Sequence, residues 1–217
     1  MPQPEEAWCV AKKKSLIARE QQRPDPDAAS GRRRNFVIAR RFVESKRLVC
    51  IDESSAKTNM TRLYGRSRIG RRCNVFNAHG HWKTTTMISA LRVDGVIKGA
   101  TILLDGPMTA ATFLGWVERC LAPSLKPGDV VVMDNLGSHK ASGVEEAIEC
   151  VGARVWYLPP YSPDLNPIEK LWSTIKSWLG RTAADTLDGL TRAAGEAFRS
   201  VGADECAHYF RSCGYGK

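Results

Sequence analysis

No run of apolar residues in this chain approaches the roughly 18 to 20 that a membrane span requires, and the amino terminus lacks the apolar core of a secretory leader. The expectation is a cytoplasmic protein with no membrane partner. Also missing is any Cys-x-x-Cys pair. The seven cysteines (9, 50, 73, 120, 150, 206 and 213) are odd in number and scattered, which argues against a disulfide framework and a zinc site and suits a reducing compartment. Acidic residues are in deficit, with 23 Asp plus Glu against 32 Lys plus Arg and a net charge of +9 over 217 residues. That balance favours a polyanionic partner such as nucleic acid. The deficit is sharpest where Lys57, Arg62, Arg66, Arg68, Arg71 and Arg72 follow one another with no acid between them. Such a stretch reads as a basic loop or hairpin touching a phosphate backbone, against the plainer reading of a solvated face. A hydrophobic fraction of 43% excludes a disordered chain and suffices for one substantial domain.

What is present divides the chain into a basic arm or linker (1–46), a central domain (47–181) and a helical tail of that domain (182–217). Arg23-Pro24-Asp25-Pro26-Asp27 breaks any long helix in the arm, leaving one short helix near Asn35 to Ser45. Leu48 to Ile51 is continuously apolar, as in a strand covered on both faces, and it should deliver Asp52-Glu53-Ser54 at its carboxyl end. Thr84 to Val93 and Val96 to Leu104 form a hairpin around Asp94-Gly95. Thr109 caps a helix with Phe113, Leu114, Val117 and Leu121 on one face. Val130 to Met133 is a second buried strand, ending in Asp134-Asn135; Ser142 with Glu145 is a capping box for the next helix; Val155 to Leu158 is the last strand. This order predicts an α/β fold with a mixed five-stranded sheet flanked by helices. The carboxyl ends of the first and fourth strands, with Asp52 and Asp134, lie side by side.

Pro159, Pro160 and Pro163 then keep the chain extended up to Asn166, which reads as an N-cap, with Pro167 at the first helical position and Glu169 at the third. Ile168, Leu171, Trp172, Ile175 and Leu179 form the apolar stripe, and Gly180 ends the helix. A Glu three residues after an Asn cap is what a capping box needs, and alone it reads as that. The company of two strand-end aspartates changes the reading. Three carboxylates without a neutralising base repel one another, so their pKa values rise or cations fill the gap. Oxygen donors of this kind select Mg²⁺ or Mn²⁺, and two such ions support phosphoryl transfer.

Ile51-Asp52-Glu53-Ser54, Met133-Asp134-Asn135 with His139, and Pro160-Tyr161-Ser162-Pro163-Asp164-Leu165-Asn166-Pro167-Ile168-Glu169 resemble the three catalytic blocks of DDE transposases of the insertion-sequence 630 family, relatives of the mariner elements. Thirty-four residues separate Asp134 from Glu169, a spacing that this superfamily uses. The resemblance covers about residues 47 to 180. It implies a ribonuclease-H-like fold, two divalent metals held by Asp52, Asp134 and Glu169, and cleavage and strand transfer that move a bacterial DNA element. Implied partners are element ends and target DNA, a homodimer on that DNA, and a helix-turn-helix protein from an upstream reading frame, since only about 47 residues precede the first strand. A nucleoid-associated place in the cytoplasm follows.

Asn135, His139 and Tyr161 are further candidates for supporting the metal site or contacting DNA. His139 also has a plain reading as a helix-start or packing residue. Glu53 should point away from Asp52 by strand alternation. Asp164 reads as a turn residue, and Trp172 and Trp178 as packing. Two other functions stay open: a ribonuclease-H-like nuclease on hybrid or branched nucleic acid, and an inactive DNA-binding remnant.

Overall fold

The computed structural model describes residues 26–61, 72, 74 and 83–216. Among the described residues six strands form one sheet: β1 (Leu48–Lys57), β2 (Thr84–Arg92), β3 (Gly95–Val96), β4 (Ile102–Asp105), β5 (Val130–Met133) and β6 (Arg154–Tyr157). Their spatial order is β3-β2-β1-β5-β6, with β4 also on β2. β1 is antiparallel to β2 and parallel to β5, and β5 is parallel to β6. The sheet is mixed, as its order of elements requires. The predicted Val96–Leu104 strand is divided by a 3₁₀ turn at Lys98–Ala100, and both pieces still pair with β2, which makes six strands where five were expected.

β1 is the larger difference. The apolar run ends at Ile51, but the strand continues to Lys57 because Asp52 through Lys57 pair with Ser89 through Thr84 of β2. Asp52 therefore lies in mid-strand. An apolar pattern detects burial on both faces; it does not detect a strand that continues half-exposed on a long antiparallel partner.

The helices are α1 (Pro26–Ala39), α2 (Ala110–Trp116), α3 (Val144–Glu149), α4 (Ile168–Thr182), α5 (Leu187–Ser200) and α6 (Ala203–Ser212). Part of the stretch expected to be an arm is thus helical from Pro26, and Phe36 is buried with its ring 4.5 Å from that of Trp156. Thr109 caps α2 by accepting from the Thr112 backbone N–H, and the helix continues through a π turn (Val117–Leu121). The cap of α3 falls one residue later than expected: Gly143, at φ 92°, takes a conformation suited to glycine, and its N–H donates to Glu146 rather than Ser142 engaging Glu145. Gly180 does not stop α4. It is buried inside the helix, which ends at Ala183 in the left-handed region. Among the described residues no helix is long and apolar enough to cross a membrane.

Two cores sandwich the sheet. Leu48 and Cys50 of β1 and Val130 and Val132 of β5 face α4, α5 and α6, whereas Val49, Ile51, Val131 and Met133 face the α2 and α3 side. Side chains alternate along a strand, so even-numbered residues of both strands belong to the α4 face. This parity places the site.

Candidate active site

β1 and β5 pair in parallel with Leu48 opposite Val130, Val49 opposite Val131 and Cys50 opposite Val132. Continued two residues further, the same offset sets Asp52 level with Asp134. Both are even-numbered, hence both lie on the α4 face, and α4 carries Glu169 on its first turn. All three line one cleft of about 440 Å³, whose other wall is the Pro-rich segment Leu158 to Pro163 with Asn166. The three predicted acids are thus brought to one cleft by register, parity and one helix start.

Their electrostatics differ. Burial, then the charges of Glu169, Asp134 and Glu53, push the Asp52 carboxyl up to about 7, against a backbone hydrogen bond from Glu53. Among the described residues no cationic side chain is among the groups that shift it. Glu169 is raised by partial burial and by Asp134, with Lys176 opposing; it stands exposed at the rim, where solvent screens the shift. Burial would raise Asp134 too, but His139 and the Leu136 N–H outweigh it and hold this carboxyl below its usual range. Carboxylates whose environments push them apart in this way, in a cleft, mark a candidate functional site.

His139 is fully buried, with Nδ1 2.6 Å from Asp134 Oδ1, Nε2 3.4 Å from Glu53 Oε1 and its ring 4.4 Å from that of Phe113. Burial lowers its pKa, but the two carboxylates more than reverse this and raise it to about 9. Neither ring nitrogen is aligned for a well-formed hydrogen bond, so the contacts are governed by charge and proximity. Glu53 lies on the opposite side of β1 from Asp52, as alternation predicts, and its carboxylate meets His139. Asn135 lines the cleft, and its Nδ2 donates to the Leu158 carbonyl, tying the end of β5 to the end of β6.

The capping-box reading of Glu169 is not realised. Asn166 makes no side-chain cap and its Oδ1 is buried without a partner, so the Glu169 carboxylate is left to the cleft. Tyr161 is a lining residue with φ 54°, a left-handed conformation that is uncommon for a bulky side chain and concentrates at functional loops. Two groups near the acids were not legible as functional. Trp172, read as packing, is buried and donates its Nε1–H to Asp52 Oδ2 at 3.2 Å. Its position three residues after Glu169, on the same helix side, was the available signal. Arg33 donates to Ser162 Oγ at 2.9 Å and, through both terminal nitrogens, to Asp164 at 3.0 and 2.5 Å, fastening α1 to the Pro-rich segment.

Of the predicted basic cluster, Lys57 and Arg72 are exposed and neither lines the cleft, while Arg62, Arg66, Arg68 and Arg71 lie outside the described residues. Among the described residues no three His, Cys, Asp or Glu side chains converge as a single metal-holding group. The donor chemistry nonetheless suits hard cations: oxygen ligands around a half-buried carboxylate that no cation among the described residues neutralises. Asp52→Asn therefore has an expected sign without metal. A carboxyl with folded pKa near 7 and unfolded pKa near 3.8 costs stability increasingly as pH rises from about 4 through 7. In EDTA at pH 8 the variant should melt higher, by on the order of 2–4 kcal/mol at 1.36 kcal/mol per unit, and the gain should vanish at pH 4. A scan at both pH values checks this, and a lower melting point at pH 8 would contradict the assigned strain.

Residues 47–191 match the family described as DDE superfamily endonuclease. Among solved structures, the chain is similar to the Mos1 transposase paired-end complex with left transposon end, at 18% identity and TM-score 0.73 over 94% of this chain and 63% of that one. It is likewise similar to the mariner Mos1 paired-end complex with Mg, at 20% and 0.70 over 95% and 63%. The catalytic domain of Mos1 mariner transposase matches at 19% and 0.62 over 94% and 91%. This chain spans 63% of the length of the chains in the paired-end complexes. The likeness shows the fold, a ribonuclease-H-like mixed sheet flanked by helices. No curated protein matches the chain.

Proposed function

Because the chain belongs to the DDE superfamily endonuclease family, as its match over residues 47–191 shows, we propose that it is the catalytic domain of an insertion-sequence transposase of the 630 type. In this reading it cleaves DNA at element ends and transfers the freed strand to a target. The observation that supports it most is the juxtaposition of Asp52 and Asp134 on the α4 face beside Glu169. Asp52, Asp134 and Glu169 would hold the Mg²⁺ or Mn²⁺, two ions in this reading. Held there, such ions would supply activation of an attacking oxygen and neutralisation of charge on a leaving one.

The chain's own groups prepare the site. The Trp172 N–H on Oδ2 fixes the rotation of the Asp52 carboxylate. His139 and the Leu136 N–H both engage Asp134 Oδ1, which leaves Oδ2 for the cleft. Asn135 holds the two strand ends in register, and Tyr161 offers a ring at the rim to the DNA. Lys57, Arg62, Arg66, Arg68, Arg71 and Arg72 bind phosphates, and two copies act together on DNA, guided by a helix-turn-helix protein from an adjoining reading frame. Residues 1–46 act as the arm, 47–181 as the catalytic domain and 182–217 as its tail.

The test is cleavage of duplexes taken from the DNA flanking the coding region, alongside scrambled duplexes and an RNA–DNA hybrid. Strand breaks should appear with Mg²⁺ or Mn²⁺ and disappear with EDTA. Preference for end over scrambled duplex should be only a few-fold for this chain, since phosphate contacts carry no sequence information directly. Breaks confined to the hybrid, or breaks undiminished by EDTA, would overturn the proposal.

A further inference from the structure

The acidic cleft has a neighbour at the Pro-rich segment. Asn135, Leu158, Pro159 and Pro160 also line an adjoining second cleft of about 480 Å³. There the charge reverses. Among the described residues no carboxylate lines it, and exposed Arg32 and Lys140 do. Its wall is β6, the edge strand of the sheet, which contributes Trp156 and Tyr157. Both rings are held in place: Trp156 against Phe36 at 4.5 Å, and Tyr157 by its hydroxyl donating to the His139 carbonyl at 3.4 Å, with Lys140 Nζ 5.4 Å over its ring. Structural packing accounts for Phe36 on Trp156. It does not account for two cations and an exposed amide, Asn35, around a hollow that adjoins the cleft of the three carboxylates.

We propose that this second cleft is a nucleotide subsite, taking one unpaired nucleotide of the DNA strand whose neighbouring phosphate lies in the acidic cleft. The inference rests on the proposed DNA-cleaving role and adds where the strand runs. A volume within the roughly 300–1,000 Å³ of small-ligand clefts admits one nucleotide and not a duplex. Arg32 and Lys140 supply the charge for its phosphate. Stacking on the aromatic wall is tolerant of base identity, since every base has a π-face. Strand polarity is thereby divided: acids handle the phosphate that reacts, and cations with aromatics hold the one beside it.

The experiment is anisotropy titration of a fluorescein-labelled twelve-nucleotide oligothymidylate and its abasic counterpart, in EDTA, with metal-dependent cleavage assayed in parallel. The Arg32→Ala/Lys140→Ala double variant should bind the thymidylate at least tenfold more weakly, with a log-affinity versus log-salt slope shallower by about 1.4, or 0.7 for each of two single-strand phosphate contacts. Lys98→Ala/Lys126→Ala, exposed and outside both clefts, controls for net charge. Tyr157→Leu should weaken the thymidylate several-fold and leave the abasic strand unchanged. Equal losses in the two lysine-bearing double variants, or equal losses of both oligomers with Tyr157→Leu, would overturn the subsite. If the wild type cleaves while the Arg32/Lys140 variant binds normally, the subsite alone fails. If binding falls as expected but no metal-dependent cleavage exists, the subsite stands and the enzymatic reading fails.

Discussion

Asp52→Asn, Asp134→Asn and Glu169→Gln should each lower the single-turnover rate of strand cleavage by at least about 10³-fold, or some 4 kcal/mol of transition-state stabilisation at 1.36 kcal/mol per decade. The substitutions keep shape and remove charge, so folding and DNA binding should persist. Acting as one unit around shared cations, the acids should be non-additive: Asp52→Asn/Glu169→Gln should cleave no more slowly than the weaker single variant. A metal titration separates weakened ion binding from slower chemistry, since extra Mn²⁺ would partly rescue only the former. Asp134→Asn cleaving at the normal rate would remove that residue from the site. Additive losses would mean three independent contributions instead of one metal centre.

His139→Ala should have the largest effect on stability. The imidazole lies between Asp134 and Glu53 with no exposure to solvent, and Glu53 Oε1 is itself buried with no hydrogen-bond partner. Removing it strands a buried acid and empties the space beside Phe113, for which about 3–5 kcal/mol is the usual cost of breaking a buried pair. The effect depends on pH in a set direction. A histidine raised from 6.5 to about 9 contributes stability that is full below about 6.5 and is lost as pH rises through 9. Asp134, held low, contributes only above its unfolded value of 3.8. Without metal, the difference in melting temperature between wild type and His139→Ala should therefore be greatest between about pH 4 and 6.5 and shrink by pH 10. A pH-independent difference would assign His139 to packing alone. His139→Gln, which keeps an N–H, should recover part of the stability at high pH and less at low pH.

Much of the site was legible because its signals are local. Apolar runs mark Leu48–Ile51 and Val130–Met133 as strands and the stripe from Ile168 to Leu179 orients α4; the lead-in expected to stay extended up to Asn166 instead makes a 3₁₀ turn at Pro163–Leu165, whose first position proline's fixed φ suits. Each depends on the residue's own backbone preferences or on a period of two or 3.6, which neighbours in sequence suffice to express. The tertiary structure decided the rest, because it depends on partners far along the chain. β1 runs to Lys57 because β2, more than 25 residues away, keeps pairing with it, and the constant β1–β5 offset sets Asp52 level with Asp134. Trp172 reaches Asp52 across 120 residues and Arg33 reaches Asp164 across 131, so propensity at either end carries no trace of the contact. By sequence His139 reads as a helix-start or packing residue; it becomes the link between two carboxylates once β1 and β5 are adjacent. Side-chain type and local period determined which residues could form an acid cleft; register and long-range packing determined which of them share it, with what charge and beside what second cleft, because pairing and burial are satisfied cooperatively over the whole sheet.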